Sequence, residues 1–339
     1  MQPRELVVGT RPSALAVWQA RWVVEQLEAA AQRHGLPLRF KLKEIRTEGD
    51  LDHTTPLAAF GQRGVFVRAV EQALLRGEAD VAVHSLKDLP GEQPPELVLA
   101  AFPVRDDPRD AAVLARPPVD AASPAPLGYL PQGARLGTGS PRRIAHLRHW
   151  RPDLEFVPIR GNVDTRLRKL EEMGLDAVVL AAAGLRRLGL WDERMQVLDP
   201  SVCLPAPGQG ALAVEVRADD EVARRAVQLI DDISVRLAVT AERELLARLG
   251  GGCHVPIGAL AMWTGGGGER RLRLMASVAD PAGSRLVVAE ETRVFDEAAL
   301  TAGEAAVADA EAAARALAHD TAAALLAKGA GELLGARGA

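Results

Sequence analysis

Aromatic side chains make up only 4% of the 339 residues, with a single tyrosine. That is too few for the stacking platforms that hold single-stranded nucleic acid. Nor is there an excess of positive charge. The chain has 41 basic and 45 acidic residues, a net charge of −4, so no basic field draws in a nucleic-acid backbone. Cysteine is nearly absent. Cys203 and Cys253 stand far apart with no C-x-x-C pair, which excludes a disulfide framework and argues against a zinc site. No metal is expected. No apolar run reaches the ~18 residues of a membrane span. The opening MQPRELVVGTR lacks the basic region and apolar stretch of a secretory signal. These absences point to a soluble cytoplasmic protein without nucleic-acid or membrane partners. What is present is ordinary globular material, 48% hydrophobic and 25% charged, at a length for two or three domains. Lysine is scarce: 36 of the 41 basic residues are arginine.

The order of elements repeats. Leu6-Val7-Val8 reads as a strand running into Gly9-Thr10-Arg11-Pro12-Ser13. Ser13 is a fitting N-cap for a helix whose Leu15, Trp18, Trp22 and Leu27 share a stripe. A strand over Arg39 to Ile45 follows, then a helix on Phe66, Val70 and Leu74 stopped by Gly77. Asp80 to Val83 reads as a buried strand leading into His84-Ser85-Leu86-Lys87-Asp88-Leu89-Pro90. After a crossing near Pro103 to Arg109 and a proline-rich loop from Arg116 to Pro131, the pattern returns. A strand at Arg135-Leu136 enters Gly137-Thr138-Gly139-Ser140-Pro141, where Ser140 as N-cap and Pro141 as first helical residue make a strong helix start. A strand near Phe156 to Ile159, a helix from Asp164 to Met173 and a buried strand over Asp176 to Leu180 complete the second unit. Two similar α/β units with mostly parallel sheets are the simplest account, with a cleft expected between them. From Asp231 onward a helix, three strand candidates (Val255–Met262, Arg271–Val278, Arg285–Glu291) and an alanine-rich helical tail suggest a small α+β domain.

Sheets of this kind bind ligands at the carboxyl ends of their strands and at helix N-termini. Arg11, Arg142-Arg143, Arg160, Arg166 and Arg186-Arg187 all fall near such junctions. A single arginine there is most simply solvated charge. So many together suggest a polyanionic ligand, carboxylate or phosphate, since guanidinium forks bind both bidentately. The Lys87-Asp88 loop leaves a buried strand at its carboxyl end, although taken alone a turn with a surface ion pair is the better explanation. His84 alone is more simply a structural hydrogen-bonder. Cys253 follows three glycines, open to close approach by a large group. For a typical cysteine a small buried hydrophobe is the simpler reading, and because a helix C-terminus raises a thiol pKa, a fast redox or protease nucleophile is disfavoured. Cys203 reads as structural. No nucleophile elbow, Walker sequence or His-Glu-x-x-His occurs.

Taken in order, these pieces resemble the porphobilinogen deaminase family over nearly the whole chain. The matching stretches are Gly9-Thr10-Arg11 with Ser13, the loop from His84 to Pro90, Gly137-Thr138-Gly139-Ser140-Pro141-Arg142-Arg143 and Arg160-Gly161-Asn162-Val163 through Leu167. Ala183 to Gly189, Leu204 to Gly210 and Gly251 to Gly258 match as well. The resemblance implies two periplasmic-binding-protein-like α/β domains, 1–104 with 205–228 and 105–204, plus a small α+β C-terminal domain, 229–339. It implies a transferase of porphyrin and heme biosynthesis, hydroxymethylbilane synthase. Four porphobilinogen molecules are condensed stepwise, with loss of ammonia, to the linear tetrapyrrole hydroxymethylbilane. It also implies a dipyrromethane cofactor held by a thioether to Cys253, with Lys87, Ser13, Ser140, Arg142, Arg143 and Thr138 around it. Substrate binding would fall to Arg11, Arg160, Arg166, Arg187, Gln19, Phe66 and Gln209, and catalysis to Asp88. Each porphobilinogen carries an acetate and a propionate, so an arginine-lined cleft suits the growing chain. The product would pass to uroporphyrinogen III synthase.

There are departures from the family pattern. Arg63 stands where most members have lysine, keeping charge but changing geometry. Pro12, Gly139 and Pro141 replace commoner residues, and Glu48 and His254 are unusual in their places. The competing reading is a two-lobed anion-binding or sensing module without catalysis. Substituting Asp88 separates the two, abolishing turnover in one and only altering affinity in the other. With no long apolar seam, a monomer is expected. Hinge motion is expected near Pro103–Arg109 and Pro205–Gln209.

Overall fold

The structure is a computed structural model that describes residues 3–45, 65–117, 127–250, 255–265, 269–297, 300 and 303–335. Cys253, His254, Glu48 and Arg63 lie outside the described residues. The chain divides into two compact units, 1–106 with 210–236 and 107–209 with 237–339.

The first unit is built on strands β1 (Arg4–Thr10), β2 (Leu38–Glu44), β3 (Val81–Ser85) and β4 (Leu97–Ala101), with helices α1 (Ala14–Arg33) and α2 (Val65–Leu75). Ser13 caps α1 by accepting a hydrogen bond from Ala16 N at 3.4 Å. The buried stripe of Ala20, Val23 and Leu27 faces the sheet. In the second unit β5 (Asp110–Leu114), β6 (Arg135–Gly137), β7 (Glu155–Val157), β8 (Ala177–Ala181) and β9 (Met195–Val197) form a sheet with helices α3 (Pro141–Trp150), α4 (Val163–Glu172) and α5 (Ala182–Arg187). The chain then supplies β10 (Leu212–Arg217) and α6 (Glu221–Gln228) to the first unit.

The strand orders are β2-β1-β3-β10-β4 and β7-β6-β8-β5-β9. They are the same arrangement. In each, four strands run in one direction, and the fourth in the order is reversed, antiparallel to both neighbours. The repeat in the sequence suggested mostly parallel sheets, yet half of the ladders in each sheet are antiparallel. The reversed strands are β5, where the chain arrives from the other unit, and β10, where it returns. A strand that enters from a crossing needs no helical crossover from its neighbour and so can run against it. Both are buried on two faces. In β5, Ala112 and Leu114 pack with Leu136, Leu147 and Val179, while Ala111 and Val113 pack on the other side with Ile159, Val178 and Leu185.

Helix α7 (Ile233–Arg248) precedes the antiparallel meander β11 (Ile257–Thr264), β12 (Glu269–Ala279) and β13 (Leu286–Asp296), against which α8 (Glu304–Ala327) packs before the short α9 (Ala330–Gly335). This is the small α+β domain, and it is seated on the second sheet's domain through glycine. A Cβ on Gly283 would come within 2.8 Å of the Ala145 carbonyl oxygen of α3, and its φ of +74° already favours glycine. Gly258 lies equally close to Leu204 and Ser277. Ser277 Oγ and His146 Nε2 share a buried hydrogen bond of 3.0 Å. Burial, followed by the nearby Arg142 charge, lowers the His146 pKa to about 3.

Candidate functional site

In the first unit, β3 ends in a 3₁₀ turn, Leu86–Asp88. Leu86, its first residue, and Leu89, which follows it, are buried. Leu86 N donates to Ala211 O at 3.1 Å and Leu89 N to Leu86 O at 3.1 Å. Lys87 is half-buried and Asp88 is exposed. The residues just before the turn are polar and tied down. Ser85 Oγ donates to Gln19 Oε1 at 3.1 Å, and Gln19 Nε2 lies 2.9 Å from the same hydroxyl. His84 Nε2 lies 3.0 Å from Glu215 Oε2. Gln19, assigned to substrate by resemblance, is thus only 2% exposed, its amide engaged by Ser85. Arg11 follows β1 directly and is half-buried beside the capped start of α1. Phe66 is the second residue of α2, and its side chain lies outside the described ones.

In the second unit, the loop after β6 is shaped by glycine and by its own hydroxyls. A Cβ at Gly137 would sit 2.7 to 2.9 Å from Leu175, Ile159 and Val178. Thr138 is buried and its Oγ1 accepts from Ser140 N at 3.2 Å. Ser140 Oγ in turn caps α3 by accepting from Arg143 N at 3.4 Å. Gly139 lies against the Ile159 carbonyl, so the loops after β6 and β7 run side by side. Arg160, on the second of these loops, is exposed. Arg166 Nε donates to Gly161 O at 2.8 Å. Arg187 is buried within α5, while Arg186 reaches Asp107 at 3.2 Å and stacks over Trp191.

Arg142 and Arg143 are placed differently from their neighbours. Both are 5% exposed and both meet Asp110, the first residue of β5, at 2.8 and 2.7 Å. Arg142 Nη1 also donates to Leu204 O at 2.6 Å, and Arg143 Nη1 to Val179 O at 2.7 Å. Gln209 Nε2 donates to Asp110 Oδ1 at 2.9 Å and to Pro108 O at 2.7 Å. Cys203 Sγ completes the cluster at 3.5 Å from Asp110 Oδ2. Burial pushes the Asp110 carboxyl up, but two guanidinium groups outweigh it and hold it well below the usual carboxylate range. Burial, with the Asp110 charge beside it, raises the Cys203 thiol to about 12. The sequence signal for this cluster was an arginine pair at a helix start. Its anchor, Asp110, lay in a strand that the periodicity did not show.

Comparison with known proteins adds the family. The family model described as "Porphobilinogen deaminase, dipyromethane cofactor binding domain" matches residues 6–225, and "Porphobilinogen deaminase, C-terminal domain" matches 236–319. The chain belongs to the porphobilinogen deaminase family. A curated porphobilinogen deaminase of Roseiflexus sp. (strain RS-1) is 46% identical over 310 residues, covering 88% of this chain and 99% of its own. The Paenibacillus macerans porphobilinogen deaminase is 47% identical over 270 residues, 79% of this chain and 81% of its own. Among solved structures, the Bordetella pertussis BvgS VFT2 domain (double mutant) is similar at a TM-score of 0.38 and 16% identity, covering 67% of this chain and 85% of that one. Among the described residues, no helix is long and apolar enough to cross a membrane.

Proposed function

We propose that the chain is a porphobilinogen deaminase in which Asp88 is the catalytic carboxylate. The observation that carries this is the Asp88 turn in a chain of this family. An exposed carboxylate follows a buried strand, with buried leucines on both sides and no hydrogen-bond or ion-pair partner of its own among the described residues. Loss of ammonia from porphobilinogen leaves a cationic pyrrole. A carboxylate already in position stabilises that cation as it forms and accepts a pyrrole N–H, with no reorganisation at the moment of reaction. Removal of one such group costs on the order of 10²–10³ in kcat.

Each unit carries donors of the kind that a carboxylate-rich dipyrromethane takes. Ser13 and Ser140 start helices whose N-terminal N–H groups favour anions, and Lys87, Thr138 and Arg160 add donors. When bound through Cys253, the cofactor supplies the pyrrole carbon from which the chain is extended. Arg11, Arg160, Arg166 and Arg187 neutralise the carboxylates that accumulate, with Phe66 beside them, whereas Gln19 and Gln209, expected as substrate contacts, are buried with their amides engaged by Ser85 and by Asp110 and act as supporting residues. Arg142 and Arg143, expected around the cofactor, are buried against Asp110 and support the site instead of lining it. Their pairing with Asp110 fixes the first turn of α3, and with it the Thr138–Ser140 loop.

The domain division 1–104 with 205–228, 105–204 and 229–339, a cytoplasmic monomer and delivery of product to uroporphyrinogen III synthase complete the proposal. The test is the intact mass of the denatured protein beside Cys253→Ala. An excess of two pyrrole units, absent from the variant, is expected. An unmodified mass after expression in a porphobilinogen-competent host defeats the attachment. Asp88→Asn should retain the mass excess and lose turnover. Full turnover in that variant defeats the catalytic assignment.

A further inference from the structure

We propose that His84 and Glu215 are positioning residues for the Asp88 turn. The inference rests on the reading of Asp88 above and extends it beneath the surface. β3 and β10 are antiparallel, with His84 opposite Ala213 and Glu215 opposite Ala82. Residues two apart on a strand share a face, so the two side chains are diagonal neighbours on one side of the sheet. Their 3.0 Å contact is buried, with Glu215 wholly inaccessible and His84 7% exposed. The other Glu215 oxygen has no hydrogen-bond partner among the described residues. Ala82, Val83, Val214 and Val216 around them are apolar and buried. A strand needs no carboxylate there for stability, and a carboxylate in such a place is costly unless something holds it.

The position of the pair along the chain gives it a task. Three successive residues at the entry to the turn are each tied to a different partner. His84 is tied to Glu215 of β10, Ser85 to Gln19 of α1, and the Leu86 N–H to the Ala211 carbonyl. Asp88 comes next but one and has no such tie among the described residues. Its location is therefore inherited from its neighbours, the tied residues before it and buried Leu89 after it. Electrostatic stabilisation of a forming cation depends steeply on distance. A misplacement of about 1 Å can cost ~100-fold in rate. The His84–Glu215 bond fixes where the turn starts, so its loss should slow chemistry more than binding.

The experiment compares cofactor-loaded wild type with E215Q and E215L. E215L removes the acceptor, and E215Q keeps one at the same length. We expect E215L to lose about tenfold or more in kcat, with KM within about twofold, and E215Q to stay within about threefold of wild type. Amide hydrogen exchange over residues 86–89 should accelerate in E215L and not in E215Q, a readout independent of turnover. An unchanged kcat in E215L, a rise in KM alone, or equal impairment of E215Q overturns the proposal. Should E215L fail to fold, the double variant H84L/E215L, which removes both polar groups together, carries the same test. A wild-type chain that neither loads cofactor nor consumes porphobilinogen defeats the underlying reading. A wild type that turns over, with E215L its equal, defeats this inference alone.

Discussion

Each of the two five-stranded sheets buries a carboxylate on its reversed strand, and the two are held in opposite ways. Asp110 on β5 meets two guanidinium groups, an amide and a thiol. Glu215 on β10 meets one imidazole. Buried charge is tolerated when its partners replace water, and Asp110 has that in full. Its cluster joins the start of β5, the first turn of α3 and the segment Cys203–Gln209, three stretches far apart in the chain. Glu215 joins two adjacent strands that the backbone ladder already holds together. The first cluster therefore stabilises an architecture. The second adds little stability and acts on the turn beside it.

The sharpest way to break this comparison is Asp110→Ala. It leaves two buried guanidinium groups without their counter-charge, a change that costs about 3–5 kcal/mol in other buried pairs. Urea unfolding should show a loss of that size. The double variant H84L/E215L should stay within about 1 kcal/mol of wild type, because both polar groups leave together. Equal losses in the two would remove the distinction.

Acid offers a second contrast. His146 protonates near pH 6.5 in the unfolded chain and only at about 3 in the folded protein. Between those values the unfolded chain binds more protons, so stability falls as pH drops through that window, at up to about 1.4 kcal/mol per pH unit. Asp110 acts lower. Its folded pKa lies below the carboxylate range, so its contribution is full above the unfolded value of 3.8 and is lost as pH falls beneath it. His146→Gln should flatten the stability profile between 6.5 and about 3. Asp110→Asn should flatten it only below that carboxylate range. Urea midpoints across both windows decide the matter.

What could be read from the chain beforehand follows the same division. Ser13, Ser140 and Pro141 announced their helices because capping is local chemistry, and the structure places caps at both serines. The loop from His84 to Pro90 was visible because an apolar run stopped at a turn. β4, β5 and β10 were not visible. Strands buried on both faces do not alternate, and Asp110-Ala-Ala-Val-Leu in an alanine-rich chain is indistinguishable from helix by periodicity. Their partners are also far away in sequence. The pairing of Arg142 and Arg143 with Asp110 was hidden for the same reason, as was that of Glu215 with His84. Charged residues were legible as candidates, but which of them meet water and which meet each other depended on the reversed strands.

Glycine tests how firmly the Asp110 side of the comparison is built, since the small domain is seated on the same helix α3. Gly283→Ala puts a Cβ 2.8 Å from a helix carbonyl at a φ of +74°. Neither the carbonyl nor the backbone yields cheaply, and overpacking of this kind costs about 1–3 kcal/mol. Gly139→Ala, 3.1 Å from the Ile159 carbonyl at an ordinary φ, should cost less. Thermal midpoints of the two variants give the order directly, and a reversed order would mean that the α3 seam is the softer of the two.

The smallest effect expected is that of Cys203→Ala. The thiol is the weakest partner Asp110 has, at 3.5 Å, and two guanidinium groups remain when it is gone. Asp110 therefore stays ionised, and the cost is that of one small cavity, about 1 kcal/mol or less. The same burial that raises the thiol to about 12 keeps its thiolate population negligible at mildly alkaline pH, so iodoacetamide should leave Cys203 unmodified until the protein unfolds. Peptide mass mapping after native and denatured alkylation reads this out. Rapid labelling of the native protein would mean that the cluster opens. Asp110 would then be no more firmly held than Glu215, and the contrast between the two carboxylates would fail.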